Sequence, residues 1–102
     1  MSDNVGITEV SEEAIAAFAG EAAARTHGVY ELGDKRRGVK VAYDEESGYT
    51  IDIYIVAAFR ANIPETAWNV QKAVYDGLLN GFGVDAEEIN IHVQGVHMNE
   101  AG

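Results

Sequence analysis

YTIDIYIVAAF, residues 49–59, alternates with a period of two: Tyr49, Ile51, Ile53, Ile55, Ala57 and Phe59 fall on one side, Thr50, Asp52, Tyr54, Val56 and Ala58 on the other. The first set is a wholly apolar face. From Ile53 onward the second set turns apolar too, which describes a strand flanked by neighbours near its end rather than a free edge. The preceding VKVAY, residues 39–43, alternates in the same way, and DEESG, 44–48, supplies the turn between them. A one-residue slip would carry a whole apolar set to the wrong face, so the pairing must put Val41 beside Ile51 and Val39 beside Ile53. That register sets Lys40 opposite Asp52 on the other face, as a cross-strand ion pair.

Upstream, Ser11 has the character of a helix N-cap, with Glu12 and Glu13 in the first turn where the positive end of the helix dipole favours them. Ile15, Phe18, Ala19 and Ala22 recur at helical spacing, predicting an alanine-rich amphipathic helix over residues 12–27 that ends at a left-handed Gly28. Residues 29–38, VYELGDKRRG, read as a connector around a basic cluster, and residues 1–10 as a loose N-terminal arm. Downstream, Asn62 or Ile63 caps a second helix, with Pro64 in its first turn. Ala67, Val70, Gln71, Val74 and Leu78 form its core stripe, and Trp68, Lys72, Tyr75 and Leu79 a second stripe beside it. Gly81, Phe82 and Gly83 break the helix. EINIHVQGVHM, 88–98, then alternates Ile89, Ile91 and Val93 inward with Asn90, His92 and Gln94 outward, and Gly95 marks a bulge or the strand's end. The expectation is a single α+β domain over residues 1–102: a two-layer sandwich of order α-β-β-α-β, with a three-stranded sheet and both helices on one face. The order of the strands in the sheet stays open.

The composition excludes several functions. With no cysteine there is no disulfide, thiol nucleophile or cysteine-ligated metal. Seventeen acidic against seven basic residues give a formal charge of −10, which opposes binding to nucleic acid or to an anionic bilayer. No apolar run approaches the length of a membrane span and no secretion signal opens the chain, so direct membrane insertion is not expected. His92 and His97 fall on opposite strand faces in unbroken alternation and His27 at a helix end, so no metal is expected. The three serines sit in an arm, a cap and a turn without a histidine to serve them, and no glycine motif cradles a phosphate. The residues therefore point to no catalytic site and no cofactor.

What remains are candidate partner surfaces. The outer sheet face carries Asp52, Tyr54, Val56 and His92. The second-helix stripe of Trp68, Lys72, Tyr75 and Leu79 is either an interface, where aromatic groups concentrate, or core packed on the first helix. A weaker candidate for an anion or an acidic partner is the basic set Lys35, Arg36, Arg37 and Lys40.

The pattern also resembles a known family. The apolar strand 51–59, Ile63-Pro64-Glu65-Thr66-Ala67, Val70-Gln71, Val74, Gly83, Ile89-Asn90-Ile91-His92-Val93 and Gly95-Val96, with Thr26-His27-Gly28-Val29 closing the first helix, are similar to the alkaline shock protein family. This is the envelope stress response family of mainly Gram-positive bacteria, and the resemblance covers residues 7–97. The chain departs from it at Arg60, where relatives usually carry glycine. The resemblance implies a small cytoplasmic, non-enzymatic scaffold that assembles with itself. It further implies membrane association through a separate anchored partner in some relatives, and a link to envelope stress or to control of fatty-acid synthesis. The alternative reading is an RNA-associated α/β module, suggested by the element order and the basic loop; the acidic charge and the lack of a G-x-x-G backbone clamp weigh against it.

Overall fold

The computed structural model describes residues 10–33 and 38–98. Its elements run α1 (Glu12–Ala24), β1 (Val29–Leu32), β2 (Val39–Asp44), β3 (Gly48–Ala57), α2 (Ile63–Phe82) and β4 (Glu88–Val96). The α+β sandwich is as expected, with one more strand than the sequence reading gave.

β3 is the middle of the sheet. β2 pairs with its first half in antiparallel register, Val41 with Ile51, Lys40 with Asp52 and Val39 with Ile53, as the apolar pattern requires. β1 pairs with its second half, Leu32 with Ile55 and Val29 with Ala57. β1 and β2 thus lie end to end along one edge of β3. Between them the chain leaves the sheet at Gly33, whose N–H donates to the Tyr54 carbonyl at 2.8 Å, and returns at Gly38, whose carbonyl accepts from the Tyr54 N–H at 2.7 Å. The four-residue VYEL segment belongs to the sheet because Val29 and Leu32 meet the apolar face of β3. A bulge between Val29 and Glu31 lets both point inward despite their odd spacing. On the opposite edge β4 runs parallel to β3, the geometry that a crossover through α2 allows. Its register slips between Ile55 and Val56, so that Val93 faces Ile55 but Gly95 faces Val56. The bulge expected at Gly95 therefore sits at Gln94–Gly95.

Both helices cover the inner face. Ile51, Ile53 and Ile55 from β3, Ile15, Ala19 and Ala23 from α1, and Val70, Val74 and Leu78 from α2 are all fully buried. Burying each aliphatic side chain of the isoleucine or leucine size contributes about 1.5–3 kcal/mol. Ser11 accepts from the Ala14 N–H at 3.0 Å, and Asn62 from the Glu65 N–H at 2.9 Å, which caps both helices as their sequences predict. α1 stops at Ala24, short of residue 27, because the Thr26 hydroxyl turns back on the Ala22 carbonyl and the Val29 N–H bonds the Thr26 carbonyl to begin a turn. Gly28 lies in that turn at φ +100°, pressed so close to Thr66 of α2 that a Cβ would crowd the hydroxyl. Of the expected arm, Val10 packs against the core; residues 1–9 lie outside the described residues. α2 runs on to Phe82 and ends as the Gly83 and Val84 N–H groups bond the carbonyls of Leu79 and Leu78.

Candidate interaction surfaces

Among the described residues no layer covers the outer face of the sheet, and its central polar groups bond one another. Asp52, half-buried in the middle of this face, accepts from Asn90 Nδ2 at 3.2 Å and from His92 Nε2 at 2.9 Å. The bond from His92 is the main reason its carboxyl titrates below the ordinary aspartate range, with partial desolvation opposing and Asn90 assisting. The His92 ring stacks on Tyr54, centroids 4.4 Å apart and 14° from parallel. The Lys40 ammonium lies 5.7 Å from the centroid of the Tyr54 ring. The ion pair expected between Lys40 and Asp52 is therefore replaced. The two residues stand opposite each other, but Asp52 takes its hydrogen bonds from β4, and Lys40 instead faces the tyrosine.

Further along the face the β4 bulge returns His97 to the same side as His92, a correction to the opposite faces expected from unbroken alternation. His97 stacks on Tyr30, with centroids 3.7 Å apart and planes 4° from parallel. Val56 sits half-buried between Glu31 and Gly95. Among the described residues no cluster of three or more histidine, aspartate or glutamate side chains could hold a metal ion. Lys35, Arg36 and Arg37 lie outside the described residues.

The α2 stripe is differently placed. Trp68 is 62% exposed, and Tyr75 and Leu79 are exposed as well, so the stripe is not buried against α1. Trp68, Lys72 and Tyr75 form one wall of a groove of about 360 Å³ whose other wall is Ala86, Glu87 and Ile89 at the start of β4. At its base Gln71, which the helical spacing put in the core stripe, donates to the Ile89 carbonyl at 2.8 Å and so pins α2 to the outer edge of β4. Tyr75 donates its hydroxyl to Asp85 at 2.9 Å, and this bond holds the phenol above the ordinary tyrosine range. Lys72 pairs with Asp76 at 3.2 Å in an exposed helical pair worth at most a few tenths of a kcal/mol. The β4 wall and Asp85 are absent from the sequence reading, because only the α2 crossover brings them beside Trp68.

The turn after β3 closes with the Ala61 N–H on the Ala58 carbonyl at 3.0 Å, and Arg60 occupies its third position at φ 67°. Among the described residues it is the only non-glycine with positive φ. This turn form ordinarily demands glycine there.

A model of the alkaline shock protein 23 family, described as having a cell envelope-related function, matches residues 1–98. The chain belongs to this family. Its similarity to the uncharacterized protein YqhY of Bacillus subtilis is 33% identity, covering 94% of this chain and 81% of that one. With the uncharacterized protein YloU of the same organism it is 31% identity, covering 91% and 90%. Among solved structures, a copper form of MamM CTD shares the fold with a TM-score of 0.65 at 18% identity, over 89% of this chain and 92% of that one. A manganese form gives 0.64 at 19%, over 83% and 99%. Identities this low establish a shared fold alone. Two of the segments that carry the resemblance, the alternating strand 51–57 in the middle of the sheet and Ile89–Val93 at its edge, pair in parallel. Among the described residues no helix is long and apolar enough to cross a membrane.

Proposed function

We propose that this alkaline shock family member is a non-enzymatic scaffold that associates with copies of itself and reaches the cell envelope through a separately anchored protein. The observation that carries this reading is Trp68, standing 62% exposed on the rim of the groove between α2 and β4. Indole surface left in water at the edge of a concave, mostly apolar site is the usual chemistry of a contact centre between proteins. The acid–imidazole pair among the described residues that could suggest catalysis, Asp52 with His92, lies on an open sheet face rather than in a cavity, which favours a structural role. The outer face, with its groups already bonded to one another, is a second surface for the same partners. The cell envelope enters from the family description, and the absence of a spanning helix among the described residues is why a separate anchor is invoked.

Sedimentation over a range of concentrations is expected to show masses above that of one chain. A monomer at every accessible concentration, with no membrane-spanning protein recovered alongside it from the host's membrane fraction, would overturn the proposal.

A further inference from the structure

We propose that the α2–β4 groove receives the basic segment 34–37, Asp34-Lys35-Arg36-Arg37, of a second copy, so that copies join head to tail. This rests on the self-association reading above and names its contact. The groove combines two features that together select a guanidinium or ammonium group. Its walls are aromatic, Trp68 and Tyr75, and its rim is acidic: Asp76 and Glu87 line it, and Asp85 joins them through the Tyr75 hydroxyl. One cation, Lys72, faces these three carboxylates and is already paired with Asp76. An arginine entering here stacks on the indole or phenol ring while its N–H groups reach the carboxylates.

The chain carries a segment of matching chemistry. Lys35, Arg36 and Arg37 are three of its seven basic residues, in a molecule of formal charge −10. Both ends of the segment are anchored, since the Gly33 N–H donates to the Tyr54 carbonyl and the Gly38 carbonyl accepts from the Tyr54 N–H, on the edge of β3 that faces away from β4. The chain's own groove lies beyond β3 and β4, about 10 Å away at roughly 4.8 Å per strand, and then around the outer edge of the sheet. Five residue steps at about 3.5 Å each, tethered at both ends, extend at most roughly 9 Å from their anchors. The segment therefore cannot fill its own groove, and a neighbouring copy must supply it. Since the anchors Gly33 and Gly38 and the groove lie on opposite edges of the sheet, the contact is heterologous and repeats from copy to copy. Local attraction of this kind offsets the general repulsion between acidic chains.

The test is sedimentation of the full chain as wild type, as a segment variant (Lys35→Glu, Arg36→Glu, Arg37→Glu) and as a groove variant (Asp76→Lys, Glu87→Lys), each checked for folding by circular dichroism. Each variant alone is expected to associate at least tenfold more weakly than wild type. An equimolar mixture is expected to recover, because an acidic segment then meets a basic groove and a basic segment an acidic groove. If the segment variant fails to fold, Arg36→Gln, Arg37→Gln replaces it, and if the groove variant fails to fold, Asp76→Asn, Glu87→Gln replaces it, with the same weakening expected of each and the mixture read for the charge-reversed pair alone. A wild type that associates while both variants associate equally well overturns this contact and leaves the self-association reading standing. Loss of association in the groove variant alone, or a mixture that does not recover, shows a different occupant and also overturns it. A wild type that is monomeric throughout overturns both.

Discussion

The two sides of β3 differ in what their residues touch. Ile51, Ile53 and Ile55 are fully buried against both helices, whereas Asp52 and Tyr54 between them are half-buried and bonded within their own layer, to Asn90, His92 and Lys40. Successive residues of one strand thus answer to different demands: the odd-numbered ones hold the sandwich together, and the even-numbered ones build its outer surface.

The largest expected effect lies on the inner side. Ile53→Ala leaves a cavity between β3 and the helices and should cost about 2–5 kcal/mol in urea unfolding. Tyr54→Ala, one residue away, removes only stacking on His92 and the contact with Lys40, and should cost less than about 1 kcal/mol. Equal losses would erase the distinction between the two sides.

An intermediate effect is expected from pH. The folded protein holds the Asp52 carboxyl below its ordinary pKa, mainly through His92, so this contribution is fully present above the unfolded aspartate value, near 4, and fades as pH falls through the lower folded value. Asp52→Asn should be less stable than wild type at neutral pH, and the difference should shrink on acidification below about pH 4. A difference that does not change with pH would mean that Asp52 acts through shape rather than charge. The smallest effect concerns the turn after β3. Arg60→Gly relieves a positive φ and should leave stability unchanged or raise it by up to about 1 kcal/mol, read as a shift in urea midpoint.

The inner side was legible in the sequence because burial imposes parity. Val39, Val41, Ile51 and Ile53 admit one register, and that register is found. Gly95 marked an interruption of regular alternation, either a bulge or the strand's end, and the pairing with β3 decides for the bulge. β1 escaped detection because its bulge breaks the alternation inside a four-residue strand. The partners of Asp52 escaped for a different reason. Lys40 is close in sequence and could be placed by the hairpin, whereas Asn90 and His92 reach Asp52 only through the parallel crossover, which periodicity does not specify. The groove was half visible. The Trp68–Tyr75 stripe follows from helical spacing, but its exposure depends on α1 packing elsewhere and on β4 supplying the opposite wall.

Association belongs, on this view of the molecule, to side chains the fold can spare, and Trp68 is the one whose loss separates assembly from stability. Sedimentation of Trp68→Lys beside wild type and Tyr54→Lys, with urea unfolding of all three, should give a Trp68→Lys chain that is monomeric where wild type is not and unfolds within about 1 kcal/mol of it. A Trp68→Lys chain that assembles like wild type while Tyr54→Lys falls apart would place the contact on the outer sheet face instead of the groove.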